Sequence, residues 1–249
     1  MVFVVIFAAI LPTLVMVWLI YRKDKLQPEP VSQLLKGVLW GIASAFISFV
    51  FSVPLSLIFG EGTGVGFIDS AFTAFALAAV PEELAKFICL YLFLRKNKYF
   101  DEYMDGIVYA VCIGMGFAGF ENIGYLFGTD EWVGLSIVRA IISIPGHYAF
   151  AVLMGYYFSH WRMLKDQKSM WLMLVTPILA HGIFDFLLMW APYVESLYTI
   201  LTIAFFYFLK KMHKHCSGLI AQQREFDKYQ MMAHNNSESE HENNFNPNV

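Results

Sequence analysis

Residues 69–94 read DSAFTAFALAAVPEELAKFICLYLFL, with Glu82, Glu83 and Lys86 near the centre of a run otherwise apolar enough to sit in lipid. A carboxylate buried without a partner is costly, and it normally finds one or changes its protonation state. The chain around this run has 249 residues, 58% hydrophobic and 15% charged, with a mean hydropathy of +0.54. That is too apolar for an ordinary soluble domain. The apolar residues fall into blocks of about 20, the length that crosses a bilayer core. Seven spans are predicted, at residues 2–20, 35–59, 69–94, 105–128, 132–158, 170–190 and 193–209. The expected fold class is all-α, a polytopic membrane helical bundle of about seven transmembrane helices.

The connections give an orientation. YRKDK (21–25), RKNK (95–98), HWRMLKDQK (160–168) and KKMHKH (210–215) follow the first, third, fifth and seventh spans; EGTGVGFID (61–69), TDEW (129–132) and APYVES (191–196) contain no Lys or Arg. Basic loops stay cytoplasmic, which predicts the N-terminus outside and the C-terminus in the cytoplasm. The first run lacks preceding basic residues and a small-residue cleavage site, so it reads as a retained helix rather than a signal peptide. Net charge is −3, and nothing points to nucleic acid; the lipid bilayer is the expected surrounding. Three cysteines provide no disulfide framework. Residues 1–210 are expected to form the bundle. The ending HNNSESEHENNFNPNV (234–249) cannot bury enough apolar surface to fold. Residues 211–249 are therefore expected to be a cytoplasmic polar tail, largely disordered, with 218–232 as a weak amphipathic helix on the membrane surface.

Ionisable groups at membrane depth are candidates for function. They are Glu82, Glu83, Lys86, Glu121, Arg139, His147, His181 and Asp185. Counting the helical rise from each predicted boundary places Glu82 about 20 Å deep, with His147 and His181 at a similar level and Glu121 and Asp185 in the outer half. Gly106, Ala110, Gly114 and Ala118 form a small-residue ridge for a close helix neighbour. Glu121 and Tyr125 share that face and are expected to point inward. His181 and Asp185, four apart, can meet, so the carboxylate can orient the imidazole. Lys86 can pair with Glu83 as a structural ion pair, which leaves Glu82 without a dedicated partner. Pro81 is expected to kink its helix, and Arg139 is accounted for by snorkelling or helix pairing.

GMGFAG (114–119) has the letters of a dinucleotide fingerprint but lies inside a span, where packing explains it. No HExxH or GxSxG occurs. With no serine, cysteine or threonine nucleophile evident, water is the natural attacking group. A desolvated Glu82 is a competent general base, and imidazole N–H groups can stabilise an oxyanion. The same His and carboxylate groups suit a divalent metal such as zinc, so a required cofactor is left open. A proton- or cation-coupled transporter or channel could use the same cluster, although no internal repeat supports it.

EELAK (82–86), FENIGY (120–125), PGHYAF (145–150) and HGIFD (181–185) resemble, in order, the four motifs of the PrsW family of intramembrane proteases. The likeness spans residues 69–190 and extends more distantly to the CAAX-processing and bacteriocin-processing glutamic intramembrane proteases. It implies a protease of the bacterial cytoplasmic membrane acting on single-span membrane proteins such as anti-sigma factors. By the same likeness Glu82 would activate water, Glu83 would hold Lys86, His181 and Asp185 would help form the oxyanion site, and His147 and Glu121 would complete the pocket.

Overall fold

A computed structural model describes residues 2–60 and 66–244, with side chains to residue 236 apart from that of residue 192. The connection at 61–65 and the last five residues of the tail lie outside the described residues. The described chain is helical throughout, without a strand. Helices α1 (Val2–Tyr21), α2 (Val31–Phe59), α5 (Tyr103–Phe127), the continuous run of α6 (Trp132–Val138) and α7 (Ile144–Leu164), and α8 (Gln167–Trp190) are each long and apolar enough to cross a membrane. These five coincide with five of the seven expected spans. The third expected span is also helical, as α3 (Gly66–Phe72), a π-helical stretch (Thr73–Ala79) and α4 (Val80–Leu94); Glu82, Glu83 and Lys86 set it apart in composition. The seventh opens α9 (Tyr198–Asn244), whose apolar part ends at Lys210.

Helix α5 is the centre of the bundle, packed by α1, α2 and α7 with α4 and α9 beside it. It is buried on all sides along most of its length, as a helix without a polar face should be. The small-residue ridge faces α7. A Cβ on Gly155 would lie 2.3 Å from the carbonyl oxygen of Gly106, and one on Gly114 would lie 2.8 Å from the Cβ of Ala151. On another face, a Cβ on Gly116 would meet the carbonyl of Val38 on α2 at 2.1 Å. Packing therefore accounts for the glycines of GMGFAG.

The end of the chain departs from the sequence reading. The helix does not stop near residue 210 and release a polar tail. It continues along the bundle, burying Met212, Cys216, Leu219, Ile220, Gln223 and Asp227. Asp227 caps α5, its carboxylate accepting from the backbone N–H of Tyr103 at 2.7 Å and of Met104 at 2.9 Å. Asp24, Glu29, Glu102 and Asp105 are buried around the same end of α5, where the Tyr109 hydroxyl donates to Glu29. Burial pushes the carboxyl groups of Asp24 and Glu102 up to about 7 and raises those of Glu29 and Asp227.

Candidate active site

Prolines shape the three segments that carry the central groups. The π-helical stretch Thr73–Ala79 ends with Val80 donating to the carbonyl of Phe75, immediately before Pro81 and Glu82. A second, Arg139–Ser143, ends with Ile144 donating to the carbonyl of Arg139, immediately before Pro145 and three residues before His147. Proline has no N–H to continue the ladder, and π-helical turns recur at functional sites. Pro177 precedes His181 by one turn of α8. The wide turn above Pro81 stands where the sequence predicted a simple kink.

The six expected site residues converge. Glu83, fully buried, accepts through one oxygen from Lys86 Nζ at 2.8 Å and from His181 Nδ1 at 2.9 Å. Lys86 Nζ also lies 3.3 Å from Glu82 Oε2 and 3.4 Å from His147 Nδ1, and 3.9 Å above the ring of Phe117. Glu82 therefore does share the lysine, at a longer distance than Glu83. His181 Nε2 is 3.2 Å from Asp185 Oδ2 and 4.0 Å from Glu82 Oε2. His147 Nε2 is 3.1 Å from Glu121 Oε2. Phe150 stacks on His181 with ring centroids 4.6 Å apart, and the two imidazoles are 5.3 Å apart, edge to face.

A cavity of about 660 Å³ reaches this cluster. Glu82 and Glu121 line it together with Phe117 and Pro81, and Ser48, Ser52 and Phe49 of α2 form its opposite wall. The two imidazoles are 6% and 3% exposed and back the carboxylates. Tyr125, expected to share the inward face of Glu121, lines the same cavity, half exposed, with the guanidinium of Arg139 4.0 Å from its ring.

Sequence reasoning undervalued two residues. Of the two explanations expected for Arg139, helix pairing holds and snorkelling does not. The residue is buried, its Nη2 lies 2.6 Å from Glu121 Oε2, and its Nε donates to Asn122 Oδ1. Asn122 in turn donates to the carbonyl of Ala9 on α1 at 3.2 Å. No sequence pattern singled out Asn122, though it directly follows Glu121.

Ligand atoms of Glu82, His147 and His181 lie within 4.8 Å of one another, the group among the described residues suited to a metal. Two imidazoles and a carboxylate are a donor set that zinc accepts with a position left open for water. Glu121 behind His147 matches the usual support of a metal-bound imidazole by a carboxylate. Both ring nitrogens of His181 face carboxylates, so ligation by His181 requires one of those contacts to be given up.

Residues 29–210 match the family described as PrsW family intramembrane metalloprotease. The chain belongs to the PrsW family. Protease PrsW of Clostridioides difficile (strain 630) is 36% identical over 203 residues, covering 78% of this chain and 84% of that protein. Protease PrsW of Geobacillus kaustophilus (strain HTA426) is 33% identical over 190 residues, covering 75% and 80%, and that of Bacillus subtilis (strain 168) is 34% identical over 189 residues, covering 75% and 83%. No solved structure matches the chain. This PrsW-family chain is an intramembrane protease, a multi-pass protein of the bacterial cell membrane.

Proposed function

We propose that the chain hydrolyses peptide bonds of single-span membrane proteins, of the anti-sigma-factor kind that the motif resemblance implies, and that Glu82 activates the attacking water. The observation that carries this reading is the position of Glu82. It lines the cavity, 4.0 Å from His181 Nε2 and 3.3 Å from Lys86 Nζ. In the proposed reaction the Glu82 carboxylate takes a proton from water as its oxygen attacks the scissile carbonyl carbon. His181, held at Nδ1 by Glu83, turns its Nε2 N–H from Asp185, which orients it at rest, to the resulting oxyanion. The proton held by Glu82 then passes to the leaving nitrogen as the C–N bond breaks. Glu83 keeps Lys86 and His181 in place, and His147, held by Glu121, completes the wall.

Glu82, His147 and His181 are the residues that would hold a divalent metal. Such an ion would supply Lewis-acid polarisation and a more acidic bound water. Seven membrane crossings, with the N-terminus outside and the C-terminus cytoplasmic, are supported by the alternation of basic and non-basic connections. That orientation turns the Gly128 and Thr129 end of the cavity lining toward the outer leaflet. A transporter reading draws on the same buried charges but finds no support in the family.

Co-expression with candidate single-span proteins tests the reading. Wild type should produce fragments cut in the outer half of the substrate span, and Glu82→Gln should produce none while retaining its fold. Equal fragments from both would overturn it.

A further inference from the structure

The structure assigns a positioning function to Arg139, which the proposed chemistry does not use: it holds Glu121 so that His147 keeps its proton on Nε2 and turns Nδ1 into the site. The inference rests on the reading of His147 as part of the site, but it does not depend on cleavage.

Glu121 Oε2 meets Arg139 Nη2 at 2.6 Å and His147 Nε2 at 3.1 Å. A guanidinium is permanently charged and only donates, so the carboxylate paired with it is an acceptor, and His147 Nε2 must carry the hydrogen. That leaves the lone pair on Nδ1, which faces the Lys86 ammonium at 3.4 Å, the same ammonium that lies 3.3 Å from Glu82 Oε2. Which ring nitrogen is available is thus set by the partner of the other.

Arg139 is itself fixed on three sides. Its Nε donates to Asn122, its guanidinium lies on the ring of Tyr125, and Asn122 ties the assembly to α1. Without it, Glu121, whose side chain is 21% exposed at the cavity, has room to swing away from His147. The π-helical stretch brings the two residues onto one face. Eight positions at 100° each would leave Arg139 and His147 about 80° apart around an α-helix. The one residue absorbed by the wide turn reduces the effective separation to seven, within about 20° of two full turns. An ordinary interhelical ion pair would require neither the shared oxygen nor this change of register.

Nitrogen-15 NMR of the full chain, labelled at the histidine rings and prepared metal-free in detergent, tests the inference. His147 is identified by the signals lost in His147→Gln. In the wild type its Nε2-protonated tautomer should predominate. Arg139→Gln should reduce that population at least threefold relative to the other tautomer. Arg139→Lys, which keeps a donor for Glu121 but cannot also span to Asn122, should fall between the two and decides the question if Arg139→Gln does not fold. Glu121→Gln should disturb the ring similarly, and adding Arg139→Gln to it should change nothing further. Wild-type signals in the Arg139 variants, or a full additional effect in the double variant, would overturn the inference. Because no cleavage is read, failure here is separate from failure of the protease mechanism.

Discussion

Replacing Glu83 by Gln should destabilise the chain far more than replacing its neighbour Glu82. Glu83 is fully buried, and one of its oxygens serves both Lys86 at 2.8 Å and His181 at 2.9 Å, while the other has no hydrogen-bond partner. Lys86 is 3% exposed, so it cannot recover its solvation in water. Losing one partner of a buried pair costs about 3–5 kcal/mol. The amide retains an acceptor oxygen, so the lower figure, about 3 kcal/mol, applies. For a chain of this size each kcal/mol moves Tm by about 2–4 °C, which gives a loss of about 6–12 °C. Glu82, whose side chain is 15% exposed and lines the cavity, should tolerate Gln with a change below about 4 °C. The assay is thermal melting of both variants in one detergent at one scan rate. Equal Tm values for the two would refute the division of labour between the paired glutamates.

Three further outcomes follow from the geometry. A Cβ on Gly155 would sit 2.3 Å from the Gly106 carbonyl oxygen and 2.7 Å from Ile107 Cα, backbone atoms that cannot rotate aside. Gly155→Ala should therefore part α5 from α7 at a cost of about 1–3 kcal/mol, visible as a lower Tm, and a wild-type Tm would contradict this packing. Lys86 Nζ contacts two of the three metal-suited groups. Lys86→Gln should tighten Zn²⁺ binding by at least about tenfold in a calorimetric titration, since a unit charge at about 4 Å is worth several kcal/mol even at an effective dielectric of 20; weaker binding would count against that site. The third outcome concerns pH. Asp24 and Glu102 are pushed up to about 7 by burial, and in both Asp227 adds to the shift. A folded-state value above the ordinary one of about 4 means that the stabilisation is complete below about 4 and is lost as pH rises through about 7. Limited proteolysis of α9 around Asp227 should accelerate across that upper range, and a flat profile would argue against the capping contact as the sensitive element.

Much of this arrangement was legible in the sequence because bilayer thickness and helical periodicity are strong constraints. The runs at 2–20, 35–59 and 170–190 could be read from length, and the meeting of His181 with Asp185 from their spacing of four. What escaped was change of register. At 100° per residue Arg139 and His147 would stand about 80° apart, and the wide turn at Arg139–Ser143 brings both to Glu121. Composition also hid the docking of α9. The buried stripe Met212, Cys216, Leu219, Gln223 and Asp227 has helical spacing, but two of its members are polar and lie in a charged, Gln-containing context. Their partners, the N-terminal N–H groups of α5 for Asp227 and the Tyr156 carbonyl and His160 ring for Gln223, exist only once the bundle is assembled.

The rate of peptide cleavage by Glu82→Gln tests the mechanism most directly. The full chain and a cleavable single-span protein should be reconstituted together in vesicles and fragment formation followed under single-turnover conditions. Loss of a general base lowers such a rate by about 10²–10⁴-fold, and the account predicts a fall of that size with melting behaviour close to wild type. Cleavage at the wild-type rate by a folded Glu82→Gln chain would contradict it.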